Sequence, residues 1–148
     1  MELILWRHAD AEDGAPDAER RLTAKGVRQA EQMAKWLKEH LPSDALILAS
    51  PARRARETVQ ALTAKYETRS ELGAGTTPKA LLKAIGWPRG DRTVVVVGHQ
   101  PTLGETAALL LTGSTPALSV RKGAIWWLAR RPRDEATVLR AVMSPDLL

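Results

Sequence analysis

In the stretch ILWRHADAE, residues 4–12, an apolar run of strand character meets charged side chains. The apolar run is short and ends in charge, as a buried strand does, so we predict a strand over residues 2–6. Arg7 and His8 follow it directly. The chain has only three histidines, and one of them lies next to an arginine where this strand ends. That placement indicates a functional site at the end of the strand.

Strands and helices alternate along the rest of the chain. Short apolar runs at 45–50 and 92–99 predict two further buried strands. Residues 124–143 form two β-rich runs around a polar turn, which predicts an antiparallel hairpin. Helical spacing of apolar residues, with capping residues or proline at the start, predicts helices over about 23–40, 51–65, 78–85 and 100–113.

The second of these helices has a specific predicted start. Ser50 offers a hydroxyl for the N-cap, and Pro51 suits the first helical position, where its missing N–H has no cost. We therefore expect the helix to begin directly after the second strand.

This order of elements predicts an α/β fold. We expect a three-layer sandwich with a mostly parallel central sheet, helices on both faces and a C-terminal antiparallel hairpin. At 148 residues, the chain is long enough to bury its own core. No internal repeat or linker divides the sequence, so we expect a single domain over residues 1–148.

Composition narrows the possible classes of protein. The chain has no cysteine, so thiol catalysis, disulfides and Cys-ligated zinc are excluded. A cytoplasmic location fits this, and the N-terminal apolar run is too short for a signal peptide or a membrane span. The net charge is +5, but phenylalanine is absent and tyrosine occurs once. We therefore expect neither a membrane nor nucleic acid as partner, and a monomer.

Side chains that can bind phosphate follow all three predicted parallel strands. Arg7 and His8 end the first strand, Arg54 lies early in the helix after the second, and His99 ends the third. In open parallel sheets, sites form at the carboxyl ends of the strands. If the strands are neighbours, these four side chains converge on one point.

These residue types suit phosphoryl transfer. An arginine binds two phosphate oxygens at once and stays charged at any working pH. A neutral imidazole can attack phosphorus, and we expect a second imidazole, protonated, to donate to the phosphate oxygens. His40 lies at a predicted helix C-terminus, where a cation is favoured, so we expect it to be structural.

Four motifs in the chain resemble those of the histidine phosphatase superfamily. Their order, the short chain and a closing MSP at 143–145 are most similar to the small SixA-type phosphohistidine phosphatases, which have a phosphoglycerate mutase-like fold. The motifs are RHADA at 7–11, RRLTAKG at 20–26, SPARRARET at 50–58 and GHQP at 98–101.

The resemblance implies a metal-independent phosphatase that needs no cofactor and forms a phosphohistidine intermediate. His8 would be the nucleophile, and Arg7, Arg54 and His99 would form the phosphate pocket. Arg20 is a further candidate for phosphate binding, because it precedes the Leu-Thr pair as the family's arginine does.

Two other arginines of the third motif are expected to lie outside the pocket. On a helix, Arg53 and Arg56 point about 100° and 200° away from Arg54. We therefore interpret them as solvated charges.

Two departures from the family pattern bear on the substrate. Ala9 replaces the glycine of the common Arg-His-Gly motif, a change that SixA-like sequences often tolerate. Larger members carry a glutamate general acid in an insertion after the second helix, which is short here and offers Glu71 as the candidate. Asp10, two residues after His8, is the alternative. A phosphoramidate leaves as an imidazole and needs less help from an acid than an alkoxide does. This favours protein phosphohistidine as the substrate.

Other functions stay open at this point. The protein could hydrolyse small phosphate esters, since an open pocket admits them. It could also be a non-catalytic module that binds a phosphorylated partner, although a pure binder needs no nucleophile. A mutase is disfavoured, because the chain lacks the insertion that closes over a sugar acid.

Three tryptophans have two possible roles. Trp126 and Trp127 are neighbours in a predicted strand and point to opposite faces, so both are buried only if both faces are covered. We expect core packing. The alternative is that one of them, or Trp36, lies on a partner surface.

Overall fold

The computed structural model describes residues 1–116, 118–131, 133 and 135–148. Six strands form one sheet: β1 (Glu2–Arg7), β2 (Leu46–Ala49), β3 (Glu67–Thr68), β4 (Thr93–Gly98), β5 (Ile125–Arg130) and β6 (Thr137–Met143). Four α-helices accompany them: α1 (Ala24–His40), α2 (Arg53–Gln60), α3 (Pro78–Ile85) and α4 (Thr102–Thr112). The strand order across the sheet is β3-β2-β4-β1-β5-β6.

The sheet is mostly parallel. Strand β4 pairs in parallel with both β1 and β2, and β2 pairs in parallel with β3. Strand β5 runs antiparallel to β1, and β6 runs antiparallel to β5. The predicted parallel sheet with a C-terminal antiparallel hairpin is therefore confirmed. Within the predicted polar turn of the hairpin, Pro132 and Asp134 lie outside the described residues.

Strand residues alternate between two cores, which gives the fold its three layers. Leu3 and Leu5 of β1 belong to the core under α3 and α4, whereas Ile4 and Trp6 belong to the core under α1 and α2. All four side chains are fully buried. Strand β4 is buried along its whole length, as a central parallel strand covered on both faces must be.

Capping residues explain where helices α1 and α3 begin and where helix α4 ends. The Thr23 hydroxyl accepts a hydrogen bond from the Gly26 N–H (3.0 Å), and Thr77 caps α3 in the same way. Gly113 ends α4 in the left-handed conformation that glycine adopts without strain. None of the helices in the described part of the chain has the length and apolar character needed to cross a membrane.

Helix α2 begins later than predicted, at Arg53 rather than Pro51. The Ser50 hydroxyl accepts a hydrogen bond from the Ala52 N–H (3.2 Å), so it closes a turn ahead of the helix and does not cap it. Ala52, with φ −59° and ψ 139°, is the N-cap residue. The local bond therefore delays the helix by two residues.

Helix α2 also ends earlier than predicted, at Gln60 rather than about Lys65. The N–H groups of Leu62 and Thr63 both donate to the carbonyl of Val59, which closes a turn. The chain then leaves to form β3, a two-residue strand at the sheet edge. The sequence pattern did not predict β3, since two residues are too few to show a period.

The tryptophans pack mainly on the core. Trp127 is buried on the α1/α2 side, and its indole N–H donates to Glu2 Oε1 (2.8 Å); Trp126 packs, partly exposed, on the opposite core. Trp36 meets Trp127 edge-on, with ring centroids 6.2 Å apart, and stacks on His40 at 4.3 Å. Core packing is therefore confirmed for the pair on β5.

Candidate active site

The carboxyl ends of β1 and β4 place two histidines side by side. Arg7 is paired with Gly98 in the parallel register, so His8 and His99 are the next residues on adjacent strands. Their ring centroids lie 5.2 Å apart, with the rings tilted by 56°. Both side chains are largely buried. The two imidazoles are thus close enough to contact a single phosphate group.

His8 has a nitrogen that is free to attack. Its Nδ1 lies 2.8 Å from the carbonyl oxygen of Ala9, which can only accept, so Nδ1 carries the proton and Nε2 keeps its lone pair. Burial, with smaller contributions from the charges of Arg54, Arg7 and Arg20, lowers the pKa of His8 to about 4, against the effect of the Ala9 hydrogen bond. The imidazole is therefore neutral at pH 7.

His99 carries its proton on the other ring nitrogen. Arg54 Nη2 donates to His99 Nδ1 (3.3 Å), so the proton lies on Nε2, which donates to the Ser50 hydroxyl (2.8 Å). Burial, followed by the charges of His8 and Arg54, lowers the pKa of His99 to about 3. This ring is therefore neutral in the free protein. The protonated second imidazole expected in the phosphate-bound state stays a prediction.

Two arginines, Arg54 buried and Arg7 half-buried, face this region and have N–H donors without an acceptor among the described residues. Arg54 donates from Nη1 to the carbonyl of Asp17 (2.9 Å), and Arg7 donates from Nη1 to the carbonyl of Val120 (2.9 Å). Burial lowers the pKa of Arg7. The Nε–H groups of both arginines are buried and have no acceptor among the described residues. Unpaired buried donors of this kind suit an anion.

Asp17 is a site residue that the sequence analysis missed. It lies in a 3₁₀ turn, and its carboxylate bridges Arg54 (Oδ2 to Nη2, 3.1 Å) and Arg20 (Oδ1 to Nη1, 3.1 Å). The hydrogen bond from Arg20 and the charge of Arg54 lower the pKa of Asp17. Its side chain is 62% exposed, which places it at the mouth of the site. The available signal was its position three residues before Arg20.

Arg20 lies at the edge of the same group. Its Nε donates to the carbonyl of Glu12 (2.7 Å), and its side chain is one-quarter exposed. Its charge is close enough to contribute to the low pKa of His8. Arg20 therefore acts on the site in two ways: it shares the Asp17 carboxylate with Arg54, and its positive charge disfavours protonation of His8.

Thr58 links the loop that follows His8 to the helix that carries Arg54. Its hydroxyl accepts a hydrogen bond from the Ala9 N–H (3.0 Å) and donates one to the carbonyl of Arg54 (2.7 Å). Both Thr58 and Ala9 are fully buried. This link fixes Ala9 in position, and the Ala9 carbonyl in turn sets the tautomer of His8.

The remaining arginines of α2 are engaged elsewhere. Arg53 pairs with Glu57 (3.1 Å), and Arg56 donates to the carbonyl of Pro51 (3.0 Å). Neither hydrogen-bonds to a site histidine. Their place agrees with the helical angles expected from the sequence.

Neither candidate for the general acid forms a hydrogen bond with the two histidines. Glu71 lies in an exposed 3₁₀ turn near the end of β4, and its carboxylate has no hydrogen bond to any described residue. Asp10 accepts hydrogen bonds from Lys122 (2.9 Å) and Thr23 (2.7 Å). Both bonds lower the pKa of Asp10, and the bond from Lys122 has the larger effect. Asp10 therefore holds the start of α1 in place, and the identity of the acid stays a prediction.

The arrangement is suited to one kind of chemistry. A neutral imidazole with a free lone pair lies beside two guanidinium groups that can neutralise a phosphate. Within the described ranges, no group of three or more acidic or histidine side chains is arranged to hold a metal ion.

Sequence comparisons identify relatives of this chain. The model of the histidine phosphatase superfamily (branch 1) matches residues 3–74. The phosphohistidine phosphatase SixA of Escherichia coli (strain K12) is 33% identical over 128 residues, which cover 80% of this chain and 79% of that protein. A SixA homolog of Haemophilus influenzae is 33% identical over 132 residues, which cover 78% of this chain and 80% of the homolog.

A solved structure agrees with these relatives. The structure of the protein histidine phosphatase SixA complexed with tungstate matches this fold with a TM-score of 0.85 and 26% identity, over 99% of both chains. Its fold is the mostly parallel α/β sandwich described above. By sequence, by fold and by the side chains gathered around His8, this chain belongs to the histidine phosphatase superfamily, in its SixA-like branch.

Proposed function

We propose that this protein removes the phosphoryl group from phosphohistidine on a partner protein, through a phosphoenzyme formed on His8. The observation that carries the proposal is the hydrogen bond from His8 Nδ1 to the carbonyl of Ala9 (2.8 Å). It leaves Nε2 unprotonated next to Arg7 and Arg54. Membership of a phosphatase superfamily supports hydrolysis as the reaction.

In the first step, the lone pair of His8 Nε2 attacks the phosphorus atom. A new N–P bond forms as the P–N bond of the substrate breaks, and its electron pair stays on the leaving imidazole, which takes a proton from solvent. Arg7 and Arg54 neutralise the charge of the transferring group. A bound phosphate offsets the cations around His99 and so raises its pKa towards the usual range.

In the second step, water attacks the phosphorus atom of the phosphoenzyme. The N–P bond breaks, its electron pair returns to His8 Nε2, and inorganic phosphate leaves with the oxygen of the water. The proton lost by the water passes to phosphate or to solvent. One phosphoryl group and one water are consumed for each turnover.

Two observations favour a phosphoramidate over an ester. Asp10 and Glu71, the carboxylates considered for general acid, form no hydrogen bond with the histidines, and a leaving imidazole needs an acid less than an alkoxide does. The relatives from E. coli and H. influenzae carry the name phosphohistidine phosphatase. The relative that binds tungstate shows that this fold can hold a tetrahedral oxyanion.

The test compares two substrates on the same preparation. We expect kcat/KM for a phosphohistidine peptide to exceed that for an alkyl phosphate ester by about tenfold or more, because neither Glu71 nor Asp10 is placed to protonate a leaving alkoxide. Faster hydrolysis of the ester would identify a small-molecule phosphatase instead.

A variant separates an enzyme from a binding module. His8→Ala should abolish turnover of both substrates while phosphate still binds through the arginines. Wild-type protein that binds the phosphopeptide without releasing phosphate would contradict the proposal.

A further inference from the structure

A second concave region, which we call the basic cavity, adjoins the active site. Its volume is about 510 Å³. Among the described residues that line it, five are cationic: Arg7, Lys25, Arg28, Arg121 and Lys122. Arg7 is shared with the active site, and the other four have no part in the chemistry described above. Asp146 is the one carboxylate among the described lining residues.

Backbone contacts bring the walls of the cavity together. Lys25 and Arg28 lie one turn apart on the same face of α1. The opposite wall contains Arg121 and Lys122. It is attached to strand β1, because the N–H of the next residue, Gly123, donates to the carbonyl of Arg7 (3.1 Å). Gly123 has φ +76°, and a Cβ there would lie 3.0 Å from Pro145. The cavity is thus part of the same frame that positions His8.

The positive charge of the cavity is only partly compensated. Two of the cations are ion-paired, Arg121 with Asp146 (3.4 Å) and Lys122 with Asp10 (2.9 Å). Lys25 and Arg28 are exposed and form no ion pair with any described residue. Like charges gathered in one concave region produce a positive potential that attracts anions. The cavity therefore has free cationic groups beside the phosphoryl site.

We propose that the basic cavity binds carboxylate side chains of an acidic segment next to the phosphohistidine of the partner protein. This inference rests on the proposed function. None of the described residues that line the cavity is aromatic, so they offer no surface on which a nucleobase stacks. Its volume suits a ligand of several groups, and one additional phosphate on a small ester would leave most of it empty. Complementary charge of this kind mainly sets partner choice and association rate.

The experiment removes the two unpaired cations and compares matched peptides. The substrates are two phosphohistidine peptides of equal length, one with Asp and Glu around the phosphohistidine and one with Asn and Gln. Wild-type protein should prefer the acidic peptide. Lys25→Gln/Arg28→Gln should lower kcat/KM for the acidic peptide by roughly threefold to tenfold, mainly through KM. The same variant should leave kcat/KM for the neutral peptide unchanged.

The same helix offers a matched control. Lys35→Gln/Lys38→Gln removes the same charge at the same spacing from exposed positions outside the basic cavity, and it should keep the preference for the acidic peptide. Lys25→Arg/Arg28→Lys keeps both positive charges and should also keep the preference for the acidic peptide. Equal losses in the two Gln variants would overturn the proposal. So would a larger loss for a small bisphosphate ester than for the acidic peptide.

A binding assay separates failure of this proposal from failure of the proposed function. If neither phosphohistidine peptide is hydrolysed, the proposed function fails, and fluorescence anisotropy with the unphosphorylated acidic peptide still tests the cavity. Weaker binding to Lys25→Gln/Arg28→Gln alone supports the cavity as the docking site. Unchanged binding, or the same loss in the Lys35→Gln/Lys38→Gln control, contradicts it.

Discussion

At the scale of single residues, the two site histidines carry their protons on different nitrogens. A backbone carbonyl holds the proton of His8 on Nδ1, whereas Arg54 and Ser50 hold that of His99 on Nε2. The rings are similar in burial and 5.2 Å apart. Their roles in the free protein therefore differ through their hydrogen-bond partners, with one ring ready to attack and the other accepting from an arginine.

The low histidine pKa values predict an acid-sensitive fold. Unfolded histidine has a pKa of about 6.5, whereas His8 and His99 have pKa values of about 4 and about 3 in the folded protein. Between these values the unfolded chain binds more protons, so stability falls as the pH falls. From pH 7 to pH 4.5, we expect a loss of roughly 2 kcal/mol in the free energy of unfolding for each histidine.

Urea unfolding at both pH values measures this loss. His99→Asn should show a smaller loss than the wild type, because one of the two buried imidazoles is gone, and His40→Gln, which changes an exposed histidine, should show the wild-type loss. The same loss in all three proteins would show that other groups cause the acid sensitivity.

Asp17 predicts an effect on phosphate affinity. Its carboxylate occupies donors of Arg54 and Arg20 that a phosphate also needs, so Asp17→Asn removes an anionic competitor while the Asp17 carbonyl still holds Arg54. We expect inorganic phosphate to inhibit the variant at a concentration roughly threefold to tenfold lower. The measurement is the competitive inhibition constant of phosphate against an aryl phosphate ester.

Glu19→Gln is the control for Asp17, because Glu19 is an exposed acid of the same 3₁₀ turn. It should leave inhibition by phosphate nearly unchanged. Weaker inhibition in Asp17→Asn would instead mean that the carboxylate serves to hold Arg54 in position.

Sequence reasoning at this scale identified residue types better than protonation. Arg7, His8, Arg54 and His99 could be singled out because each follows a strand or begins a helix. The neutral state of His99 could not be predicted, because it depends on burial and on a contact with Arg54 across 45 residues of chain. The partners that fix the His8 and Arg7 orientations are backbone carbonyls, which leave no trace in side-chain identity.

At the scale of elements, helix α1 packs directly on the loop that follows His8. A Cβ added to Gly26 would lie 2.0 Å from the carbonyl oxygen of Asp10, closer than any real contact. Glycine at this position is what lets the helix approach the backbone so closely. The approach fixes the loop through hydrogen bonds from Thr23 to Asp10.

Gly26→Ala should therefore affect both stability and activity. The clash with backbone must move the helix or the loop, which we expect to cost about 2 kcal/mol in the free energy of unfolding. It should also lower kcat, since the Ala9 carbonyl that orients His8 lies in the same loop. Chemical denaturation and steady-state kinetics measure the two effects. Lys38→Ala, an exposed site on the same helix, should change neither, and a neutral Gly26→Ala would contradict this packing.

Elements with strong local signals were predicted nearly to the residue. Helices α1 and α3 have hydroxyl caps, and α4 has a C-terminal glycine, so their ends follow from local chemistry. Helix α2 was placed wrongly at both ends because the Ser50 hydroxyl closes a turn of its own and because the turn after Val59 shows no glycine or proline. The short strand β3 depends on pairing with β2, which is a tertiary effect.

At the scale of the whole molecule, the sheet order explains why the site exists. Strand β4 lies between β1 and β2, so the three strand ends that carry His8, Ser50 and His99 are adjacent although they are far apart in sequence. Helices α1 and α2 cover one face and α3 and α4 the other, which leaves this edge of the sheet available to a substrate. The alternation of strands and helices along the chain was enough to predict the layered architecture. It did not predict the order of the strands across the sheet.

The most direct test of the account is to trap and map the phosphoenzyme. Wild-type protein is mixed with a peptide radiolabelled on its phosphohistidine, quenched rapidly in base, where phosphohistidine survives, and digested for mapping of the label. We predict acid-labile label on His8 in the wild type and none in His8→Ala. Label on any other residue, or no label at any time during wild-type turnover, would contradict the account.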